Sequence, residues 1–396
     1  LNWTKEFGLR ISKKMYRESL KGQKIWILVG TRPDVIKQMP VYLACCDKFG
    51  RDKVALIGTG QHRDLLDQAL DHFELRLNHD LNVMKPGGSL NELSAAILQG
   101  MELLLRDQTP DWLVVQGDTT SAAMASWAGF QNHVKVAHSE AGLRSYDLQN
   151  PYPEEANRRL ISMVADLHFA PTEDAKNVLL AEGIDSDRVL LTGNPGIDAL
   201  RMTLDMPESE LSREIRERIE GDQLKLGLLT AHRRENKGEG MAQWFEALDR
   251  FLEQHTDLAL IYPIHPNLAA SEPAENFLAS NPRVFMKSAL TYAETCHLLE
   301  CCQFVVTDSG GIQEEAAALG IPAVVCRKAT ERHEAIRAGL ARLAGTHTDQ
   351  VLEAMEWAYQ TPRRKAKERF HPLFGDGYSA NRIAEQLASR SEPHGQ

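Results

Sequence analysis

Three carboxylates stand where acid–base chemistry would be expected. Asp118 follows the run Val115-Gln116-Gly117, Glu140 follows His138-Ser139, and Glu154 follows Pro151-Tyr152-Pro153. The first two follow apolar runs that read as strands and the third lies in the loop beyond, so three chain segments bring acids to one edge of one sheet. Like charges gathered in a cleft raise one another's pKa, which suits a proton donor or acceptor better than it suits stability. Two structural alternatives stand beside this: Asp118 as an N-cap of the following helix, and a salt-bridge network with Arg144, Arg158 and Arg159.

A second set of residues suits an anion. Gly30-Thr31-Arg32-Pro33 turns a strand into a helix, with Pro33 in the first turn, where its missing N–H costs nothing. Arg32 and Lys37 then lie within about a turn of a helix N-terminus, a good place for phosphate; a plain turn with solvated cations is the alternative. The stretch is not a G-x-G-x-x-G fingerprint, so a nicotinamide cofactor lacks its usual support. His232, beside Arg233 and Arg234, suits a pyrophosphate contact or a proton shuttle. For His265 a structural and a functional role weigh equally. The sharpest stretch is Thr307-Asp308-Ser309-Gly310-Gly311-Ile312-Gln313-Glu314-Glu315. Ser309 is placed to cap a helix, and Gly310 and Gly311 expose backbone N–H groups that no side chain shields from phosphate. Glu315, one turn further, is spaced to accept from both hydroxyls of a ribose. Arg332 supplies a further cation, and the combination suggests a nucleotide-sugar site.

These residues need a scaffold that lines up strand ends. Short apolar runs alternate with amphipathic segments, the signature of parallel strands joined by crossover helices. Candidate strands are 25–29, 54–58, 112–116, 134–138, 167–170 and 189–192, then 225–230, 259–264, 304–308 and 323–326. The charged stretch 202–223, which carries Pro207, separates the two series as a linker. The expected fold is therefore α/β: two doubly wound domains with ligands bound beyond the carboxyl ends of the strands, in the cleft between them. The expected division is an extra amphipathic helix at 1–23, striped by Trp3, Phe7, Ile11 and Met15, a first domain at 24–200 and a second at 201–375.

Composition narrows the function classes. The 396 residues are 43% hydrophobic and 25% charged, which excludes a disordered or fibrous chain. With 45 basic and 55 acidic residues the net charge is -10, so neither nucleic acid nor an anionic membrane is an expected partner. Cys45, Cys46, Cys296, Cys301, Cys302 and Cys326 lack metal-binding spacing and read as buried reduced thiols. Residues 1–23 do not have the pattern of a secretory signal, and a cytoplasmic enzyme is expected.

From about Lys24 onward the chain resembles the non-hydrolysing UDP-N-acetylglucosamine 2-epimerases, which have the glycosyltransferase-B fold. The resemblance rests on ordered blocks: GTRPDVIK at Gly30, GQHRDLLDQ at Gly60, GDTTS at Gly117, EAGLRS at Glu140, PYPEEANRR at Pro151, TGNPGIDAL at Thr192, AHRREN at Ala231, DSGGIQEEA at Asp308, TERHEA at Thr330 and GDGYSANRI at Gly375. It implies two Rossmann-like domains, with a last helix at about 376–396 returning to the first. It also implies interconversion of UDP-N-acetylglucosamine and UDP-N-acetylmannosamine by elimination and re-addition of UDP through 2-acetamidoglucal. No metal or redox cofactor is implied, and a homodimer is. Carried over position by position, Asp118, Glu140 and Glu154 are the acid–base carboxylates and His232 partners the leaving diphosphate. Arg32, Lys37, Arg233, Ser309, Gly310, Gly311, Glu315 and Arg332 are the substrate ligands. Gln61, His62 and His265 match an allosteric substrate site.

Some positions depart from the pattern. Asp34 stands where the family usually has Glu, and Leu290 and Thr295 replace a glutamine and an aromatic offered to the uracil. Pro86-Gly87-Gly88 replaces a basic residue of the allosteric site, so weakened or absent activation by substrate is expected. The alternatives are a 2-epimerase of a related nucleotide-activated acetamido sugar, a hydrolysing 2-epimerase and a glycosyltransferase of the same fold. All three carboxylates together argue against the transferase.

Overall fold

Ile25–Val29 and Trp112–Gln116 are buried along their whole length. Such runs fit strands covered by helices on both faces, because in a parallel sheet no face is left to alternate with polar residues. The computed structural model describes residues 22–60, 63–84, 87–231, 239–264, 276–287, 290–363 and 369–391. Within them the chain forms two compact units, one of Leu1–Pro195 with Ser379–Gln396 and one of Gly196–Tyr378.

The first unit holds a seven-stranded parallel sheet. Its strands are β1 (Ile25–Val29), β2 (Val54–Gly58), β3 (His79–Asp80), β4 (Trp112–Gln116), β5 (Lys135–Ser139), β6 (Leu167–Ala170) and β7 (Val189–Leu191). Their spatial order is β3-β2-β1-β4-β5-β6-β7, so the winding reverses between β1 and β4, where doubly wound sheets bind ligands. Trp26, Leu28, Ile57, Leu113 and Val115 pack with Ile97, Met101 and Ile161 from the covering helices. The helix Ser379–Ser391 packs on the helix Arg32–Phe49. It is pinned by Arg382 Nη1 donating to the Thr192 carbonyl (3.1 Å) and by Trp112 Nε1 donating to Ser391 Oγ (3.0 Å).

The second unit repeats the plan with six strands. They are β8 (Lys225–Thr230), β9 (Leu258–Pro263), β10 (Val284–Lys287), β11 (Phe304–Thr307), β12 (Ala323–Val325) and β13 (Ala341–Leu343). All are parallel, in the order β10-β9-β8-β11-β12-β13, and the reversal lies between β8 and β11. Trp244, Phe245, Phe251, Tyr262 and Phe304 fill the core on one side, with Phe251 and Phe304 edge to face at 6.3 Å.

Three strands escaped the sequence reading: β3, β10 and β13. Each is an outer strand of two to four residues, and β10 is only half-buried, so none carries an apolar run as long as those of the central strands. The charged stretch read as a linker is largely helical. Ser209 caps the helix Glu210–Gly221, accepting from the Ser212 amide, and Ser212, Ile215 and Ile219 bury one stripe of it. Charge on the remaining faces hid the short apolar stripe. The expected helix at 1–23 lies outside the described residues, apart from its last two. Among the described residues no helix is long and apolar enough to cross a membrane.

Candidate active site

At the carboxyl end of β5 the chain makes a left-handed turn at Glu140, φ 62°. A non-glycine residue held there is strained, and such strain persists only where surrounding contacts fix it. Three donors do so. Lys37 Nζ lies 2.5 Å from Glu140 Oε1, Asn194 Nδ2 donates to the same oxygen at 3.0 Å, and Gln116 Nε2 donates to Oε2 at 2.5 Å. Lys37 comes from the helix Arg32–Phe49, Gln116 ends β4, and Asn194 precedes the helix Pro195–Leu204. Glu140 is 8% exposed. Gly117, φ 63°, completes the turn beside it, where a β-carbon would lie 3.3 Å from Oε2.

Asp118 follows at the same edge. It does not cap the next helix. That role falls to Thr119, whose hydroxyl accepts from the Ala122 amide at 3.1 Å and leaves the Asp118 side chain for other contacts. Arg158 forms an ion pair with Asp118 Oδ2, and Asn157 Nδ2 donates to the Asp118 carbonyl at 2.9 Å. Both belong to the helix Glu154–Val164, so the helix that starts with Glu154 is tied to the turn that presents Asp118. The neighbouring Glu155 is structural. Burial alone would raise its pKa, but the Ser145 amide (2.8 Å), Arg159 (2.9 Å) and Arg158 outweigh that and hold the carboxyl below the usual range. Arg144 is committed to Glu182 at 2.6 Å. The salt-bridge network therefore exists, and of the three carboxylates singled out in the sequence it engages Asp118.

Beneath the two turns, His138 Nε2 meets the Gly117 carbonyl at 2.7 Å. Burial outweighs this carbonyl and pushes the imidazole down to about 4, so at neutral pH it is an uncharged donor. It ties β5 to the loop after β4, as the Gln116–Glu140 bond ties β4 to the loop after β5.

In the β1 turn, Thr31 caps the helix and Asp34 closes a capping box, accepting from the Gly30 and Thr31 amides at 3.0 Å each. Burial, only partly offset by these amides, raises Asp34 to about 7. Arg32 is half-buried at the first helical position. Lys37, a residue expected to meet phosphate, has its ammonium on Glu140.

In the second unit, Ser309 occupies the N-cap of the helix Gly310–Ala318, but its hydroxyl makes no capping bond, contrary to expectation. Its own amide donates to Thr307 Oγ1 at 2.9 Å, which orients the turn. Arg332 lies over the start of this helix: a β-carbon on Gly310 would come within 3.0 Å of the guanidinium. Glu314 accepts from Arg332 Nε at 2.9 Å, and Glu331 lies 3.3 Å from Nη1. At Gly311 a β-carbon would meet nothing within 4 Å among the described residues. Backbone N–H groups with a guanidinium beside them form a cradle for an anion. One turn on, Glu315 accepts from the Tyr292 hydroxyl at 3.0 Å. Burial drives the Tyr292 pKa well up, so the phenol stays a donor.

The structure thus brings Asp118, Glu140 and the Glu154 helix together in one unit, and Ser309, Gly310, Gly311, Glu315 and Arg332 in the other. His232, Arg233, Gln61, His62 and His265 lie outside the described residues. Gln116, His138, Asn194 and Tyr292 were missed as site residues. The available signal was a polar residue ending a buried run, as at Gln116 and His138, or standing before a helix-opening proline, as at Asn194.

Comparison with known proteins bears on this geometry. Residues 46–388 match the family model for UDP-N-acetylglucosamine 2-epimerase. The UDP-N-acetylglucosamine 2-epimerase of Neisseria meningitidis is 38% identical over 368 residues, covering 92% of this chain and 99% of that protein. That of Escherichia coli K12 is 39% identical over 371 residues, covering 92% and 98%. The crystal structure of UDP-GlcNAc 2-epimerase from Neisseria meningitidis bound to UDP-GlcNAc superposes with a TM-score of 0.84 at 37% identity, covering 93% of this chain and all of that one. The two doubly wound sheets, the carboxylates at their strand ends and the match along nearly the whole chain agree, and the chain belongs to the UDP-N-acetylglucosamine 2-epimerase family.

Proposed function

We propose that the protein interconverts UDP-N-acetylglucosamine and UDP-N-acetylmannosamine by eliminating UDP and adding it back. The C2–H bond of an acetamido sugar has no adjacent carbonyl to stabilise a carbanion, so simple deprotonation faces too high a barrier. Elimination avoids it. A carboxylate takes the C2 proton, the C2–H electrons form a C1=C2 double bond, and the C1–O electrons leave with UDP. The intermediate is 2-acetamidoglucal. Return of a proton to the opposite face of C2, with attack of the UDP oxygen on C1, gives the epimer.

The observation that carries this reading is the gathering of Asp118, Glu140 and the Glu154 helix at one sheet edge, with Glu140 strained and held by three donors. Proton transfer on both faces of the sugar needs more than one carboxyl group. The nucleotide is assigned to the Gly310–Ala318 helix start, with Arg332 on the diphosphate and Glu315 on the ribose diol. Arg32, His232 and Arg233 are assigned to the departing diphosphate.

Breakage of the C1–O bond is open to an isotope test. Substrate carrying oxygen-18 between C1 and the β-phosphorus is incubated with enzyme, and recovered UDP-sugar is examined by phosphorus NMR. Free UDP in the site can rotate its phosphate before re-addition, so the label is expected to spread into non-bridging positions. Label that stays bridging through many turnovers would contradict the elimination.

A further inference from the structure

We propose that Gln116 and Asn194 are positioning residues of the epimerisation, which with Lys37 hold Glu140 as an ionised carboxylate fixed in one direction. The proposal rests on the reading of Glu140 as a reacting carboxylate. An ionised carboxylate accepts only, whereas a protonated one must also place a hydroxyl hydrogen. The three donors reach both oxygens from three different elements, so they fix the plane of the group as well as its charge. An ammonium and two amides aimed at one carboxylate favour its charged form.

Gln116 makes the case most clearly. Its side chain is 2% exposed at the end of a strand otherwise built from Trp112, Leu113, Val114 and Val115. The amide oxygen is buried with no hydrogen-bond partner among the described residues. A buried amide left half-satisfied costs stability, and an apolar residue of the same shape would avoid that cost. The bond from Nε2 to Glu140 is what its presence supplies. Asn194, 0% exposed, donates to the other oxygen of the same carboxylate.

The test uses Gln116→Met, which keeps shape and removes the donor, and Asn194→Asp, which is nearly isosteric and sets a second carboxyl beside Glu140. Glu140→Gln serves as the reference. For Gln116→Met the expectation is KM for UDP-N-acetylglucosamine within about twofold and kcat lower by about tenfold. The acid limb of its kcat–pH profile is expected to move up by about half a unit or more, and that of Asn194→Asp further, because like charges disfavour ionisation. A purely structural role would leave kcat and the limb in place. Glu140→Gln retaining full activity would overturn the reading of Glu140 and the proposal with it. Glu140→Gln inactive, with both other variants keeping the wild-type kcat and acid limb, would overturn the positioning role alone.

Discussion

A β-carbon on Gly310 would lie 2.8 Å from the guanidinium carbon of Arg332. The glycine therefore makes room for a cation directly over the first turn of a helix, where backbone N–H groups already favour an anion. Gly310→Ala must displace Arg332, and loss of one charge-assisted contact of that kind weakens binding by about tenfold to a hundredfold. Calorimetric titration with UDP checks this; native affinity in Gly310→Ala would show that Arg332 is not a ligand. Gly311→Ala meets no neighbour among the described residues, so it is expected to leave Tm unchanged while its methyl intrudes on bound UDP.

Glu315 gives a test of ribose recognition. Tyr292 donates to one of its oxygens at 3.0 Å and so orients the carboxylate. In Tyr292→Phe that orientation is lost. UDP affinity is expected to fall by several-fold, about 1 kcal/mol for one buried hydrogen bond. The preference of the wild type for UDP over 2′-deoxy-UDP is expected to narrow. An unchanged preference would place the ribose elsewhere.

His138 makes the fold acid-sensitive. In the unfolded chain the imidazole takes a proton near 6.5, whereas burial keeps it neutral in the native state down to about 4. Between these values the unfolded chain binds more protons, so the contribution is complete above 6.5 and is lost as pH falls toward 4. His168, its register neighbour on β6, is lowered to about 3 by burial and acts in the same direction. His138→Gln keeps a donor for the Gly117 carbonyl and removes the titration. In urea unfolding at about pH 7 and about pH 5, the variant is expected to gain on the wild type at the lower pH, by up to about 1.4 kcal/mol per pH unit. No gain would mean that His138 already carries a proton.

Asp34 acts with the opposite sign. Its carboxyl ionises near 3.8 when unfolded but only at about 7 when native, so here the native state binds the extra proton. The contribution is complete below 3.8 and is lost as pH rises toward 7. Asp34→Asn cannot ionise, and its carbonyl still serves as acceptor for the turn. The unfolding midpoint of the variant relative to wild type is expected to rise between about pH 4 and about pH 7. A constant difference would contradict the raised pKa.

Much of the scaffold was legible because its central strands are continuous apolar runs, a pattern that parallel sheets impose. What escaped lay at the edges, where β3, β10 and β13 are too short to carry a pattern. In the site, charged and glycine residues stood out by type, and Asp118, Glu140, Gly310 and Arg332 are visible that way. Their partners were not. Lys37 meets Glu140, and Thr119 rather than Asp118 caps its helix, because such pairings depend on strand order and on the turn of a few dihedrals. Asn194 lies 54 residues from Glu140, a separation that local spacing does not reveal.

The central claim is that an enzyme carboxylate removes the C2 proton. Proton NMR of the protein with UDP-N-acetylglucosamine in D2O, following the C1 and C2 signals, tests it most directly. The expected product is UDP-N-acetylmannosamine with deuterium at C2. Epimerisation that retains the original C2 hydrogen would contradict it.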